Sequence, residues 1–176
     1  MWAGMRTSEI FGLRWANVDL ASRSVLVAEA VVRGRQKDNT KTNTVRTTVK
    51  LNSVAFAAIT SQKQHTFLGG DFVFNDPRYN IPWVDERAFR RSYWTPSLKR
   101  LGIRYRRPYN MRYTYATIML MAGMNHSFCA KQLGHSPEVF QRTYSKWLDG
   151  RQNDAEMGHL EAALSPGYPQ KQSKTP

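Results

Sequence analysis

Six side chains in this 176-residue chain stand out as able to act together on an anion: Arg6, Lys41, Tyr109, Arg112, His135 and Tyr144. The last two fall in "QLGHSPEVFQRTYSKW" (132–147), where a histidine follows a glycine and a tyrosine lies nine positions further on. A guanidinium is always charged and presents a planar fork of donors. Histidine and phenol each add a donor, and a phenol oxygen can itself attack. Taken singly, each residue has a plainer reading as surface cation, loop lysine, packing aromatic or capping histidine. Taken together, they pose a choice between ordinary packing and a tyrosine that acts on a negatively charged polymer.

The charge balance favours the polymer. Lys and Arg number 26 against 13 Asp and Glu, a net +13. A surplus of that size favours polyanions, nucleic acid first and acidic membrane second, and says nothing about fold. The length suits one domain. With 41% hydrophobic residues and five tryptophans, the chain can build a real core. The single cysteine, Cys129, excludes an intrachain disulfide framework and suits a reducing cytoplasm. Its neighbours Phe128, Ala130 and Leu133 make it a small core residue. No run approaches the roughly 18 apolar residues of a membrane span, and no secretory leader is visible. A cytoplasmic, nucleoid-associated protein is expected, with no membrane partner.

The elements that must position these residues can be read along the chain. Thr7 or Ser8 would cap a short helix carrying Ile10, Leu13 and Arg14. "VDLASRSVLVAEAVV" reads as strands about a turn near residues 21–24. "RGRQKDNTKTNT" reads as a basic hairpin tip and "VRTTVKL" as its return strand. A helix opened by Ser53 follows, then a short strand "DFVFN" and a turn-rich loop "DPRYNIP". From Asp85 the pattern is helical: one helix to Gly102, one from Pro108 to Gly123, and two short ones over "HSFCAKQLG" and "SPEVFQRTYSKW". A last amphipathic helix carries Met157, Leu160 and Leu164 on one stripe. The expected fold is α+β over residues 1–164, a small antiparallel sheet followed by a helical body, with a disordered tail at 165–176. The N-terminus enters a helical pattern at once, so an upstream part is expected to be missing.

In chain order, "GMRTSEIFGLRW", "TKTNTVRTTVKL", "RPYNMRYTYAT" and "LGHSPEVFQRTY" resemble the catalytic domain of the tyrosine recombinases, the phage-integrase family. The resemblance runs from Gly4 to about Trp147, and its strength lies in the order and spacing of the boxes. It implies a mainly helical DNA breaking–rejoining fold. It places the first active-site arginine at Arg6, the hairpin lysine at Lys41, the second arginine at Arg112, the box histidine at His135 and the nucleophile at Tyr144. The second box normally reads H-x-x-R-H. Here it is "YNMRY", so Tyr109 replaces the first histidine and Tyr113 the second. A tyrosine can still donate to a phosphate, but with a free pKa of about 10 it is a poor base near neutrality.

The resemblance implies chemistry that these residue types suit. As an oxygen attacks a phosphodiester, charge grows on the non-bridging oxygens, and stabilising it is the largest task. Arg6 and Arg112 would clamp the phosphate and His135 would add a donor, so neither metal nor cofactor is expected. Tyr144 would form a 3′-phosphotyrosyl link, and Lys41, with Lys37 as runner-up, would protonate the leaving 5′ oxygen. Glu9, one turn after Arg6, would orient that arginine or simply pair with it. Arg33, Arg35, Arg104, Arg106, Arg107 and Lys131 would grip the double-stranded DNA backbone. The family also implies a homotetramer on DNA. The leading reading is a site-specific recombinase or integrase catalytic domain. Its competitors are a type IB topoisomerase-like or resolvase-like strand breaker, a decayed prophage DNA-binding module and, more distantly, a metal-dependent nuclease.

Overall fold

The computed structural model describes residues 2–32, 35–38, 47–144 and 157–158, with side chains over 2–30, 48–144 and 157–158. Helix α1 (Thr7–Phe11) is followed by a 3-10 turn (Trp15–Asn17), β1 (Val18–Asp19), β2 (Ser24–Val27), β3 (Glu29–Val32), β4 (Arg35–Asp38) and β5 (Thr47–Lys50). Next come α2 (Ser53–Thr66), β6 (Asn75–Asp76) and β7 (Ile81–Pro82). The helical part comprises α3 (Glu86–Phe89), a π-helical stretch (Arg90–Trp94), α4 (Thr95–Arg100), α5 (Asn110–Met121), α6 (His126–Leu133) and α7 (Pro137–Tyr144). Among the described residues, no helix is long and apolar enough to cross a membrane.

Strands β1, β2 and β5 form an antiparallel sheet in that order, with Val25 opposite Val49. Alternation buries Val25, Val27 and Val49 against Ala55 and Ile59 of α2, together with Leu13 and Val73. A second core lies among the helices: Tyr115, Met119 and Leu120 of α5, Cys129 and Leu133 of α6, Phe140 and Tyr144 of α7. Burying a side chain the size of Phe140 stabilises by about 2 kcal/mol, so this core fixes three helices. Gln132 joins the two regions. Its amide accepts from the Lys50 N–H at 3.0 Å and donates to the Lys50 carbonyl at 2.6 Å, so α6 completes the free side of β5.

Several boundaries differ from the sequence expectation. The first cap position is Arg6, because the Glu9 carboxylate already takes the Arg6 N–H. Asn52 rather than Ser53 caps α2, its side chain accepting from the Ala55 N–H at 2.9 Å. Residues 35–38 are not hairpin tip but β4, paired with β3 from Glu29↔Asp38 to Val32↔Arg35. The strand expected at 71–75 lies at 75–76 and pairs with β7, drawn from the expected loop. Asn80, at a φ of 54°, makes the tight return between them. The single helix expected over 85–102 is three pieces. Pro96 has no N–H for the carbonyl four residues back, and the helix is widened over Arg90–Trp94 just before it. Pro108 precedes α5 instead of opening it. The expected last helix and tail lie outside the described residues, apart from Met157 and Gly158.

Replacing Gln132 with alanine strands both polar groups of Lys50. The expected loss is about 1–3 kcal/mol, read as a lower midpoint in urea unfolding, and an unchanged midpoint would show that α6 does not brace the sheet.

Candidate active site

On α5 the buried positions are Arg112, Tyr115, Ala116, Met119 and Leu120, one stripe at helical spacing. The stripe faces α6 and α7, so Arg112 is carried into the core, where it is 2% exposed. A buried guanidinium needs acceptors, and it has them. Nη1 donates to the Gly4 carbonyl at 2.8 Å. Nη2 donates to the Leu133 carbonyl and to His135 Nε2, the latter at 3.0 Å. Arg112 Nε is buried with no partner. Burial, then the nearby charge of Arg6, lowers the Arg112 pKa. Gly4 presents its carbonyl at a φ of 66°, and a Cβ there would lie 2.6 Å from both Leu133 Cδ2 and Tyr115 Cδ1. Only glycine fits this position.

Arg6 stands two residues further along, at the head of α1. Its backbone N–H donates to Glu9 Oε2 at 2.7 Å and its Nη1 meets Glu9 Oε1 at 2.5 Å. One buried carboxylate therefore fixes both the backbone and the guanidinium of Arg6. Burial lowers the Arg6 pKa, but Glu9, with Tyr109 adding, outweighs it and the net shift is upward. The Arg6 side chain remains 38% exposed, so it is the arm of the pair that faces solvent.

His135 is placed by a helix stop. Gly134 takes the left-handed conformation, φ 61°, after α6. The Gly134 N–H then bonds the Lys131 carbonyl and the His135 N–H bonds the Ala130 carbonyl, at 3.0 and 2.9 Å. This double closure fixes the direction in which the histidine leaves the helix. An arginine nitrogen can only donate, so His135 Nε2 accepts and the neutral ring carries its proton on Nδ1. That Nδ1 is buried without a partner. Burial, then Arg112, then Arg6 push the His135 pKa down to about 4.

Tyr144 lies one turn past Phe140 on α7, whose start is held by Ser136 Oγ accepting from the Val139 N–H at 3.3 Å. Its ring is 6.0 Å from that of His135, 4.9 Å from Phe140 and 6.0 Å from Tyr113. Tyr113 in turn meets Tyr109 at 5.4 Å. Tyr144 is 1% exposed. Burial raises its pKa and Arg112 pulls against that rise.

Of the residues singled out from the sequence, Arg6, Glu9, Tyr109, Arg112, His135 and Tyr144 therefore share one site. Lys41 and Arg33 lie outside the described residues. Arg35 opens β4, and Lys37 of the same strand pairs with Ala30. Arg104, Arg106 and Arg107 are exposed on the segment leading into Tyr109, and Lys131 is exposed on α6. Sequence reasoning missed Gly4 and the Leu133 carbonyl as the seats of Arg112. Gly4 stood in the "GMR" box, but its carbonyl left no trace in side-chain chemistry.

The chain belongs to the phage integrase family, which it matches over residues 1–149. It is 30% identical to the prophage integrase IntR of Escherichia coli K12, over 94% of this chain and 45% of that protein. It is similar in fold to the Tn1549 transposon integrase solved in complex with circular intermediate DNA, at a TM-score of 0.69 and 19% identity, covering 90% of this chain and 56% of the other. The XerA recombinase gives a TM-score of 0.63 at 20% identity, covering 95% and 56%. The chain spans about half the length of the curated relatives it matches. The fold is that of the tyrosine recombinase catalytic domain, α+β with a small sheet ahead of a helical body.

The site makes stability depend on pH. Unfolded, His135 titrates near about 6.5; folded, near about 4. Between those values the unfolded chain binds a proton that the native protein excludes, so stability falls as pH drops through that window and is unaffected by this group above it. His135→Asn should therefore lose less stability than the parent between the two values. Parallel pH profiles in denaturant unfolding would contradict this.

Proposed function

We propose that this chain is the catalytic domain of a site-specific DNA recombinase that cuts and rejoins duplex DNA through a tyrosine. The observation that carries this is the convergence of two guanidiniums, a histidine and a buried tyrosine, with two N–H donors, Arg112 Nε and His135 Nδ1, left unpaired beside them. Buried donors without acceptors suit an oxyanion, and preorganised donors are worth most where charge develops.

Arg6, exposed and braced by Glu9, makes the first contact with the phosphate. Tyr109 lies close enough to Arg6 to act on the same anion as a hydrogen-bond donor, where a histidine would be usual in the family. Arg112 and His135 supply the inner donors. Tyr144 attacks phosphorus in line, its phenol proton passing to solvent water as the new P–O bond forms, and the Arg112 charge favours that loss. The P–O bond to the 5′ oxygen breaks, and Lys41 gives that oxygen a proton. The DNA then hangs by a 3′-phosphotyrosyl bond, and a second 5′ hydroxyl reverses the step without an external energy source. The burial of Tyr144 means that the end of α7 must yield before attack, so DNA engagement and exposure of the phenol are coupled. Exposed Arg104, Arg106, Arg107 and Lys131 hold the backbone, with four protomers acting together on DNA.

The shielded tyrosine and the tyrosine at 109 favour one second reading, a DNA-binding module that no longer cuts. A nicked suicide duplex carrying the junctions that flank its own gene, incubated with the protein in EDTA, separates the two. A covalent protein–DNA adduct should form, and Tyr144→Phe should abolish it while keeping salt-sensitive DNA binding. Binding without any adduct from the parent protein would leave only the second reading.

A further inference from the structure

Between α4 and α5 the chain runs in neither helix nor strand over residues 103–107, and every one of these residues is exposed. The sequence sets both ends of the segment. Gly102, at a φ of 65°, closes α4: its N–H bonds the Lys99 carbonyl at 3.2 Å, and the Ile103 N–H bonds the Leu98 carbonyl at 2.9 Å. Pro108 disfavours helix at Arg107 and is itself buried. The segment is also tied down before α5. The Arg106 carbonyl accepts from Trp94 Nε1 at 2.6 Å, and the Arg107 carbonyl accepts from the Asn110 N–H at 2.9 Å.

Arg104, Arg106 and Arg107 fall in this segment, and Tyr105 stands among them. Tyr105 is 47% exposed. Other exposed rings have company. Tyr79 lies under the Arg78 guanidinium at 5.1 Å, Phe67 lies under the Lys63 ammonium at 4.6 Å, and Tyr109 meets Tyr113. Among the described residues, Tyr105 takes part in no hydrogen bond, ring contact or cation–ring contact.

Closely spaced guanidiniums suit the phosphates of a nucleic acid rather than an apolar protein face. A bare ring among them suits another part of the same polymer, the flat face of a base. In a continuous duplex those faces are covered by neighbouring pairs, and they become available where a strand is opened. Tyr109, whose phenol lies against Arg6, follows shortly after Tyr105, and the chain between them spans at most about 14 Å. At a rise of about 3.4 Å per base step, that reach covers roughly four nucleotides from a phosphate held by Arg6. Resting on the proposed strand cutting, we propose that Tyr105 is a stacking platform for a base freed from pairing beside the break. Arg104, Arg106 and Arg107 hold the backbone that carries this base.

The test uses a junction duplex from the flanks of the gene, nicked in one strand to leave a 3′-phosphate, with one nucleotide beside the nick left unpaired. A second duplex carries an abasic sugar at that nucleotide. Both are made with the altered nucleotide on either side of the nick. Dissociation constants are read by fluorescence anisotropy, so no cleavage is needed. On at least one side, the parent protein should bind the unpaired base about ten-fold more tightly than the abasic sugar, the worth of one base–ring stack. Tyr105→Phe should keep that ratio, and Tyr105→Leu should bring it near unity while binding an intact duplex as before. The proposal is overturned if the parent does not distinguish base from abasic sugar on either side, or if Tyr105→Leu keeps the ratio. Loss of the ratio in Tyr105→Phe also overturns it, since the hydroxyl and not the ring would then be the contact. A kept ratio in Tyr105→Leu with a lower mass in light scattering would mark the segment as a protein contact instead. Adduct formation on the suicide duplex without any base–abasic difference sinks this proposal alone, whereas failure to bind any of the duplexes sinks the strand-cutting reading with it.

Discussion

A guanidinium cannot be buried alone, and Arg112 is almost wholly buried. Leaving such a charge without acceptors would cost several kcal/mol, so the chain must bring acceptors to it. It does so from two distant places: the Gly4 carbonyl, 108 positions away in sequence, and the Leu133 carbonyl with the His135 ring, at the end of α6. This requirement ties the N-terminal loop to the helical core. It explains why residue 4 must lack a side chain, why α6 must stop at Gly134, and why Arg6 emerges beside the same spot.

The same interaction sets the electrostatics. Arg6 and Arg112 are near enough that each positive charge disfavours its neighbours' protonation. Burial first, and then the charges of Arg112 and Arg6, keep His135 neutral, its pKa pushed down to about 4. Arg6 is spared because Glu9 lies against it. The arrangement is asymmetric, an exposed arm held by a carboxylate and a buried arm held by carbonyls. The phenol of Tyr144 rests against the buried arm, protonated and shielded by three rings. On the proposed function, a phosphate drawn in by Arg6 would meet donors already in place before it met the Tyr144 phenol.

Much of this was legible in the sequence. The spacing of Arg112 with Tyr115, Ala116 and Met119 marks it as an inward-facing position. The Leu133-Gly134-His135 run announces a helix stop followed by a fixed histidine. Sheet and helix types follow from alternation at 24–27 and 47–50 and from the apolar stripe of α5. Less visible was anything that depends on which of two neighbours wins a shared role. Asn52 and Ser53 are both good caps, and only tertiary placement selects the first. Glu9 takes the Arg6 N–H, so neither Thr7 nor Ser8 caps α1. A proline within a helical pattern predicts disturbance, but not that the helix would widen ahead of Pro96.

The role of Arg112 as the post on which both fold and site depend can be measured directly by nitrogen-15 NMR of its guanidinium. A group locked between Gly4, Leu133 and His135 gives resolved, slowly exchanging side-chain N–H signals, and these should sharpen or shift when a phosphate-bearing DNA end is added. A single averaged, rapidly exchanging signal like that of a surface arginine would contradict the buried fork and everything placed around it.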